Sequence, residues 1–283
     1  MDIKDLEVFL ITAKEGQLSK TAEKLQFVQS SITNKIKKLE SHFGTPLFYR
    51  HANGVTLTSA GRDLLPYAEK ILHTFEEAEK SVGNYHIPSG NLKIGSMETT
   101  AAIRLPSLLS SYCGNYPEVE LIIETGPTET LINKVIHYEL EGAFVADSDN
   151  FVNLNKELFV SEELFIIGSR PITAENIENS NIIVFKKGCS YRRKFEEYLA
   201  YKGFSFRRIM EFGSLESIIG CVQAGLGYTV LPLSVITKMN IKESLRTEKL
   251  DRRFGDIRTV FVSRKDLIKT KAFNEFVAQL KNQ

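Results

Sequence analysis

The sequence predicts a chain in two parts: an all-α head of three helices with a two-stranded wing, extended by one long linker helix, and a larger α/β unit behind it. Three observations predict this. Apolar residues in the N-terminal stretch recur at helical intervals and are broken by glycine. A single one-sided helical pattern runs from Thr58 to about Asn84. Beyond Gly90, strand-like and helical stretches alternate, the order expected of mainly parallel sheets covered on both faces.

Length and composition agree with two globular units. The chain has 283 residues, against a prior of about 150 per domain. With 42% apolar and 25% charged residues and no biased stretch, both units can bury a core. No run approaches the roughly 18 apolar residues of a membrane helix. The start, Met1, Asp2, Ile3, Lys4, Asp5, lacks the basic and then apolar order of a signal peptide. A cytoplasmic location with no membrane partner is therefore expected. Cys113, Cys189 and Cys221 are too few and too scattered for a disulfide framework, and no metal-ligand spacing occurs.

The formal net charge of +1 points to no partner, but its distribution does. Residues 1–62 hold nine Lys/Arg and six Asp/Glu, leaving a net negative remainder. Between Phe27 and Arg62 the only acid is Glu40, set against Lys35, Lys37, Lys38, Arg50 and Arg62. Such a cationic surface suits phosphate contact, because neutralising phosphates releases counterions. A short charge run also suits a solvated helix face.

In the head, Leu6, Phe9, Leu10 and Ala13 form the stripe of a first helix that Gly16 stops. Ser19 is a candidate N-cap for a short second helix carrying Ala22 and Leu25. Gln29, Ser30 and Ser31 open a third, with Ile32, Ile36, Leu39 and Phe43 as its apolar stripe and Gly44 and Pro46 closing it. Its other face carries Gln29, Ser30, Thr33, Asn34, Lys37 and Lys38, which can reach base edges and phosphates as a major-groove reader must. Leu47 to Arg50 and Val55 to Thr58 flank Asn53 and Gly54, a hairpin signal, so that Arg50 and His51 become phosphate-facing candidates on a wing. In the long helix, Leu65, Ala68, Leu72, Phe75 and Val82 alternate at three and four, a coiled-coil seam interrupted at Glu79 and bent near Pro66. That seam reads as a dimerisation linker or as a core helix of its own domain.

These residues resemble the LysR-type transcriptional regulators. The likeness rests on the Leu-x-x-Phe-Leu helix at Leu6 to Leu10, the wing led by Pro46-Leu47-Phe48-Tyr49-Arg50, and Leu57-Thr58-Ser59-Ala60-Gly61 at the start of the long helix. The resemblance implies a winged helix-turn-helix that binds double-stranded DNA at residues 1–58, with Ser30, Ser31, Thr33 and Lys37 on the recognition helix and Arg50 on the wing. It implies a linker and dimerisation helix at 59–85, and an effector domain of two periplasmic-binding-protein-like lobes. We place a hinge at 86–90, the effector domain at 91–283, lobe one at about 91–162 plus 265–283, and lobe two at about 163–264. Further implied partners are a small-molecule effector, other copies of the chain as a dimer or tetramer, and RNA polymerase.

In open α/β sheets, ligands lie beyond the carboxyl ends of strands, where helix N-termini present free N–H groups. That rule nominates Ser96, Met97, Glu98, Thr99 and Thr100 after Leu92 to Gly95, Gly126 to Thr128 after Val119 to Glu124, and Lys187 to Tyr191 after Ile182 to Phe185. Ser96, Thr99, Thr128 and Ser190, beside Glu98, Thr100 and Tyr191, can hold a small anionic effector, with Arg192 as counter-charge. Helix capping explains the same hydroxyls. No other cofactor is expected.

Two rivals are weighed. Cys189 is the candidate thiol of a redox-sensing regulator, although relatives that sense peroxide carry their cysteine where this chain has Ser190. The other rival is a small-molecule-binding protein or enzyme with an accessory DNA-binding head. Against an enzyme, the sequence lacks His-Glu-x-x-His, Gly-x-Ser-x-Gly and a phosphate-loop lysine motif. Gly225-x-Gly227 follows a helix and precedes a strand, the reverse of a dinucleotide fingerprint.

Overall fold

The computed structural model describes residues 1–82, 87–148, 151, 153–241 and 244–281, excepting the side chains of 76, 77 and 79–82. The chain divides into two compact units, Met1–Asn84 and Tyr85–Gln283. The expected hinge at 86–90 falls partly outside the described residues.

In the first unit, α1 (Ile3–Glu15) opens on a capping box in which Asp2 caps Lys4 and Asp5 returns to the Asp2 N–H, and it closes on left-handed Gly16. The second helix, α2 (Leu18–Lys24), starts from Gln17, so Ser19 lies inside it and caps nothing. The third, α3 (Gln29–Phe43), ends at Gly44 in the left-handed region, as the sequence predicts. Ile32, Ile36 and Leu39 are fully buried against Leu6, Phe9 and Ala22, whereas Phe43 is exposed because the helix outruns the core at that point.

The wing pairs β1 (Phe48–His51) with β2 (Gly54–Leu57). His51 lies opposite Gly54, so the turn residues are Ala52 and Asn53, one step earlier than expected. A backbone bond of 2.7 Å from the Val55 N–H to the Gly16 carbonyl fixes β2 to the end of α1 and sets that register. Thr58 and Gly61 then join wing to linker. The Thr58 hydroxyl accepts the Gly61 N–H and donates to the Pro46 carbonyl, starting α4 (Ser59–Val82).

The α4 helix corrects the expected seam. Ala68 is fully buried and Leu64, Leu65 and Leu72 pack on the head's own core. Of the expected seam Phe75 alone is exposed among the described side chains, and it lines up outward with Tyr67 and Ile71 at spacings of four. Val82, the last seam position, has a side chain outside the described residues.

The second unit consists of β3 (Gly90–Ser96), α5 (Glu98–Ile103), α6 (Leu105–Asn115), β4 (Val119–Thr125), α7 (Thr128–Ile136), β5 (Gly142–Ala146), β6 (Leu154–Gly168), α8 (Ala174–Glu178), β7 (Asn181–Phe185), α9 (Ser190–Lys202), β8 (Ile209–Phe212), α10 (Leu215–Gln223), β9 (Gly227–Pro232), α11 (Leu233–Lys238), β10 (Arg246–Lys249), α12 (Arg252–Gly255), β11 (Asp256–Arg264) and α13 (Lys271–Leu280). Two sheets share β6. Its residues 154–163 run along β11, with a bulge at Phe159; β11 in turn pairs with β5, and β3 and β4 follow in parallel. Its last five residues pair with β9, next to parallel β7 and β8, with β10 on the other side.

Strands inside each lobe therefore run parallel, as expected, and the crossing strands run antiparallel. Lobe two ends earlier than predicted: β11 was expected there, but its hydrogen bonds place it between β5 and β6 in the first sheet. Apolar cores lie under each sheet, one around Phe144, Phe261 and Phe276 and another around Ile166, Phe195 and Tyr228. Phe273 and Phe276 seat α13 on the first.

Candidate functional site

Two places collect the residues singled out from the sequence. On α3, Gln29, Ser30, Asn34 and Lys37 are exposed, while Ser31 and Thr33 are half-buried. The Thr33 hydroxyl donates to the Gln29 carbonyl at 3.0 Å, one turn back. Lys38 belongs to a different job. Its ammonium and that of Lys35 reach the two carboxylate oxygens of Asp5, at 3.3 and 3.2 Å.

Asp5 is almost fully buried. Burial alone would raise its pKa, but the Asp2 N–H and the two lysines outweigh that cost and hold it below the usual carboxylate range. The group thus ties α1 to α3 in its ionised form. Lys37 remains as the exposed α3 cation with no ion pair among the described residues.

Glu40, the lone acid of this stretch, is also structural. Its Oε1 accepts the backbone N–H groups of Leu47 and Phe48, at 2.9 and 3.3 Å. It thereby fixes the start of the wing from the recognition helix and adds no exposed negative charge near Arg50 and His51, both of which are exposed on β1.

In the second unit a cleft of about 160 Å³ opens between the lobes. That is on the order of the ~150 Å³ void that accepts a benzene-sized guest. Met97, Glu98, Thr99 and Thr125 to Thr128 line one side, and Phe185, Lys186, Cys189, Tyr191, Phe212 and Gly213 line the other. Every one of these sits at the carboxyl end of a parallel strand or the first turn of the helix that follows, where sheet topology concentrates free N–H groups.

Among the described residues, α5 of the first lobe makes two hydrogen bonds to the second. The Thr99 and Tyr191 hydroxyls meet at 2.9 Å, and Lys238 donates to the Ile103 carbonyl at 2.9 Å. Burial pushes the Tyr191 phenol well above its usual value, so the pair is neutral. Thr128 spans the floor, accepting the Ala146 N–H and donating to the Met97 sulfur. Gly188, with φ +88°, lets the lobe-two loop approach Pro127 and Glu129, where an added Cβ would sit 3.3 Å from each.

Of the nominated effector residues, Glu98, Thr99, Thr128 and Tyr191 meet in this cleft. Ser96 and Thr100 are buried outside it; the Ser96 hydroxyl donates to the Met97 carbonyl. Ser190 and Arg192 face an adjoining polar recess with Lys187, Arg193, Glu129 and Glu196. Arg192 is not a free counter-charge: its Nε holds Glu196 at 2.8 Å and its Nη1 holds Glu211.

The cation that the cleft does present is Lys186, exposed and without an ion-pair partner among the described residues. Sequence reasoning stopped one residue short of it. Cys189 occupies the N-cap position of α9 without a side-chain cap bond, where the nearby Arg192 and Tyr191 N–H groups favour its thiolate. Burial still raises its thiol overall, the opposite of the lowered pKa that a reactive cysteine needs.

Comparison with known proteins matches both units. Residues 3–62 fit the model of the bacterial regulatory helix-turn-helix protein, lysR family, and residues 86–283 fit the LysR substrate binding domain. The chain belongs to the LysR family. It is 44% identical to the HTH-type transcriptional regulator GltR of Bacillus subtilis, covering all of this chain and 97% of that one. It is 40% identical to YofA of Bacillus velezensis, another HTH-type transcriptional regulator, over 99% and 98% of the two chains.

Among solved structures, full-length OxyR from Pseudomonas aeruginosa superposes with a TM-score of 0.72 at 20% identity, over 99% of this chain and 95% of that one. Full-length CbnR, solved with its target DNA, gives 0.68 at 17%, over 100% and 99%. This LysR-family chain is therefore a DNA-binding transcriptional regulator with an effector-binding domain, and not an enzyme.

Proposed function

We propose that this LysR-type regulator answers to a small organic anion bound between the two lobes. The observation that carries the reading is the cleft's make-up: one cation, exposed Lys186, and one carboxylate, half-buried Glu98, with walls of Met97, Pro127, Phe185 and Phe212 and the Thr99–Tyr191 pair spanning it. A carboxylate on Lys186 with an apolar body against the phenylalanines satisfies that surface. A ligand that favours one lobe angle shifts the balance of conformers by its difference in affinity for them.

In the same reading the head grips double-stranded DNA with α3 in the major groove and the wing on the backbone. Copies pair through α4 as dimers, and pairs of dimers associate through the effector domains. The bound effector alters promoter geometry and so the access of RNA polymerase. The regulator works in the cytoplasm and needs no other cofactor.

Thermal melting of the full chain against small carboxylates, amino acids and neutral sugars tests this. A ligand at 100 times its Kd adds about 2.7 kcal/mol to the stability of the effector unit. The expected hit is a carboxylate whose stabilisation is lost in Lys186→Met and weakened in Tyr191→Phe. A hit of equal strength in both variants would put the ligand elsewhere.

A further inference from the structure

Val28 stands where α3 needs a cap and supplies none. Its backbone is extended, at φ −78° and ψ 145°, and its carbonyl takes the first helical bonds from the Ser31 and Ile32 N–H groups. A Ser, Thr, Asp or Asn there would bind a free N–H of the first turn, yet the side chain is apolar and makes no cap bond. It is also 69% exposed, beside Phe27 at 46%. Folding of the head gains nothing evident from either choice.

We infer that Val28 reads a thymine by packing its methyls on the base's C5-methyl group in the major groove. The inference rests on the reading that α3 lies in that groove. Thymine alone offers a methyl there, and apolar side chains are what recognise it. The next residues, Gln29 and Ser30, are exposed and can bond neighbouring base edges, so the apolar contact extends a polar reading face by one step.

Charge selects nucleic acid over a protein partner. Along α3 from Val28 the exposed face presents Lys37, and that helix's acid, Glu40, is spent on the wing's N–H groups; exposed Glu23 belongs to the preceding helix, α2. An apolar side chain at the head of a helix whose free exposed charge is a lysine suits a polyanion whose groove edge carries methyl groups.

The experiment uses the full-length chain and duplexes it enriches from a random pool. Each thymine of the enriched half-site is replaced singly by deoxyuracil, which removes only the methyl. Wild type is expected to lose about fourfold in affinity at one position per half-site, the worth of one buried methyl group. Val28→Ala should bind thymine and deoxyuracil equally at that position. Val28→Ser should do the same while melting at a higher temperature than wild type, because it restores the cap.

Insensitivity of wild type to every deoxyuracil would overturn the inference, and so would an unchanged ratio in Val28→Ala. Gln29→Ala separates this from failure of the groove reading. If α3 enters the groove, Gln29→Ala shifts the enriched sequence whatever Val28 does; if it leaves the sequence unchanged, the groove reading fails with it.

Discussion

Ile71→Glu combined with Phe75→Glu is expected to convert the protein to monomers at micromolar concentration and to cut its affinity for a two-half-site duplex by 10²- to 10⁴-fold. Tyr67, Ile71 and Phe75 are 66%, 44% and 45% exposed, three large apolar side chains on one side of α4. A contiguous patch of this kind on a one-sided helix marks an association surface. Two glutamates per copy would meet their counterparts across a two-fold pairing, where burial makes like charge costly.

Loss of pairing removes the effective concentration that the second head enjoys once the first is bound, which is the source of the large factor. Sedimentation velocity and a binding titration check both parts. Because these side chains point away from the head's core, far-UV circular dichroism should be unchanged. Leu72→Glu is the contrast: it packs on that core, so it should lower the head's stability. A double variant that still sediments as the wild-type oligomer would show that α4 does not pair.

Gly61→Ala is the second large effect. A Cβ at Gly61 would lie 2.2 Å from the Leu47 carbonyl oxygen and 2.9 Å from Leu57 Cδ2. The carbonyl cannot retreat cheaply, since it accepts the Thr58 N–H at 3.0 Å while Glu40 holds the N–H of the same residue. The methyl must therefore separate the start of α4 from the wing. Overpacking against fixed backbone sits at the upper end of its usual range, about 3 kcal/mol. Urea unfolding followed by circular dichroism should register that loss, with DNA binding falling in parallel. A change within about 0.5 kcal/mol would mean that the junction yields more easily than its hydrogen bonds imply.

Much of the head was legible because its signals are local. Gly16 and Gly44 each stop a helix in the left-handed conformation expected of a C-terminal glycine. The expected α4 seam mixed two faces, Leu65, Ala68 and Leu72 from one and Phe75 from the other. Periodicity detects that a helix has an apolar side, but Leu65, Ala68 and Leu72 alternate with Tyr67, Ile71 and Phe75 closely enough to form two adjacent stripes. Only the packed head decides which stripe it covers.

In the second unit the short buried strands were readable from runs such as Ile182 to Phe185. The long β6 was not, because it changes sheets after Glu163 and carries Lys156, Glu157, Glu162 and Glu163 along the way. The site suffered from the same gap. Arg192 read as an open cation because one of its two carboxylates, Glu211, lies on β8, a strand of only four residues that the sequence pattern did not set apart. Lys186 was passed over because it falls between the last residue of β7, Phe185, and the loop nominated from Lys187 onward.

The central claim is that α3 addresses the DNA, and the salt dependence of DNA affinity tests it most directly. Each neutralised phosphate contributes a slope of about −0.9 to log K against log salt. Lys37→Ala should weaken binding and make that slope shallower by about one unit, whereas Lys38→Ala, whose ammonium is engaged with Asp5, should mainly lower stability. Affinity and slope both unchanged in Lys37→Ala would contradict the placement of α3 on the DNA.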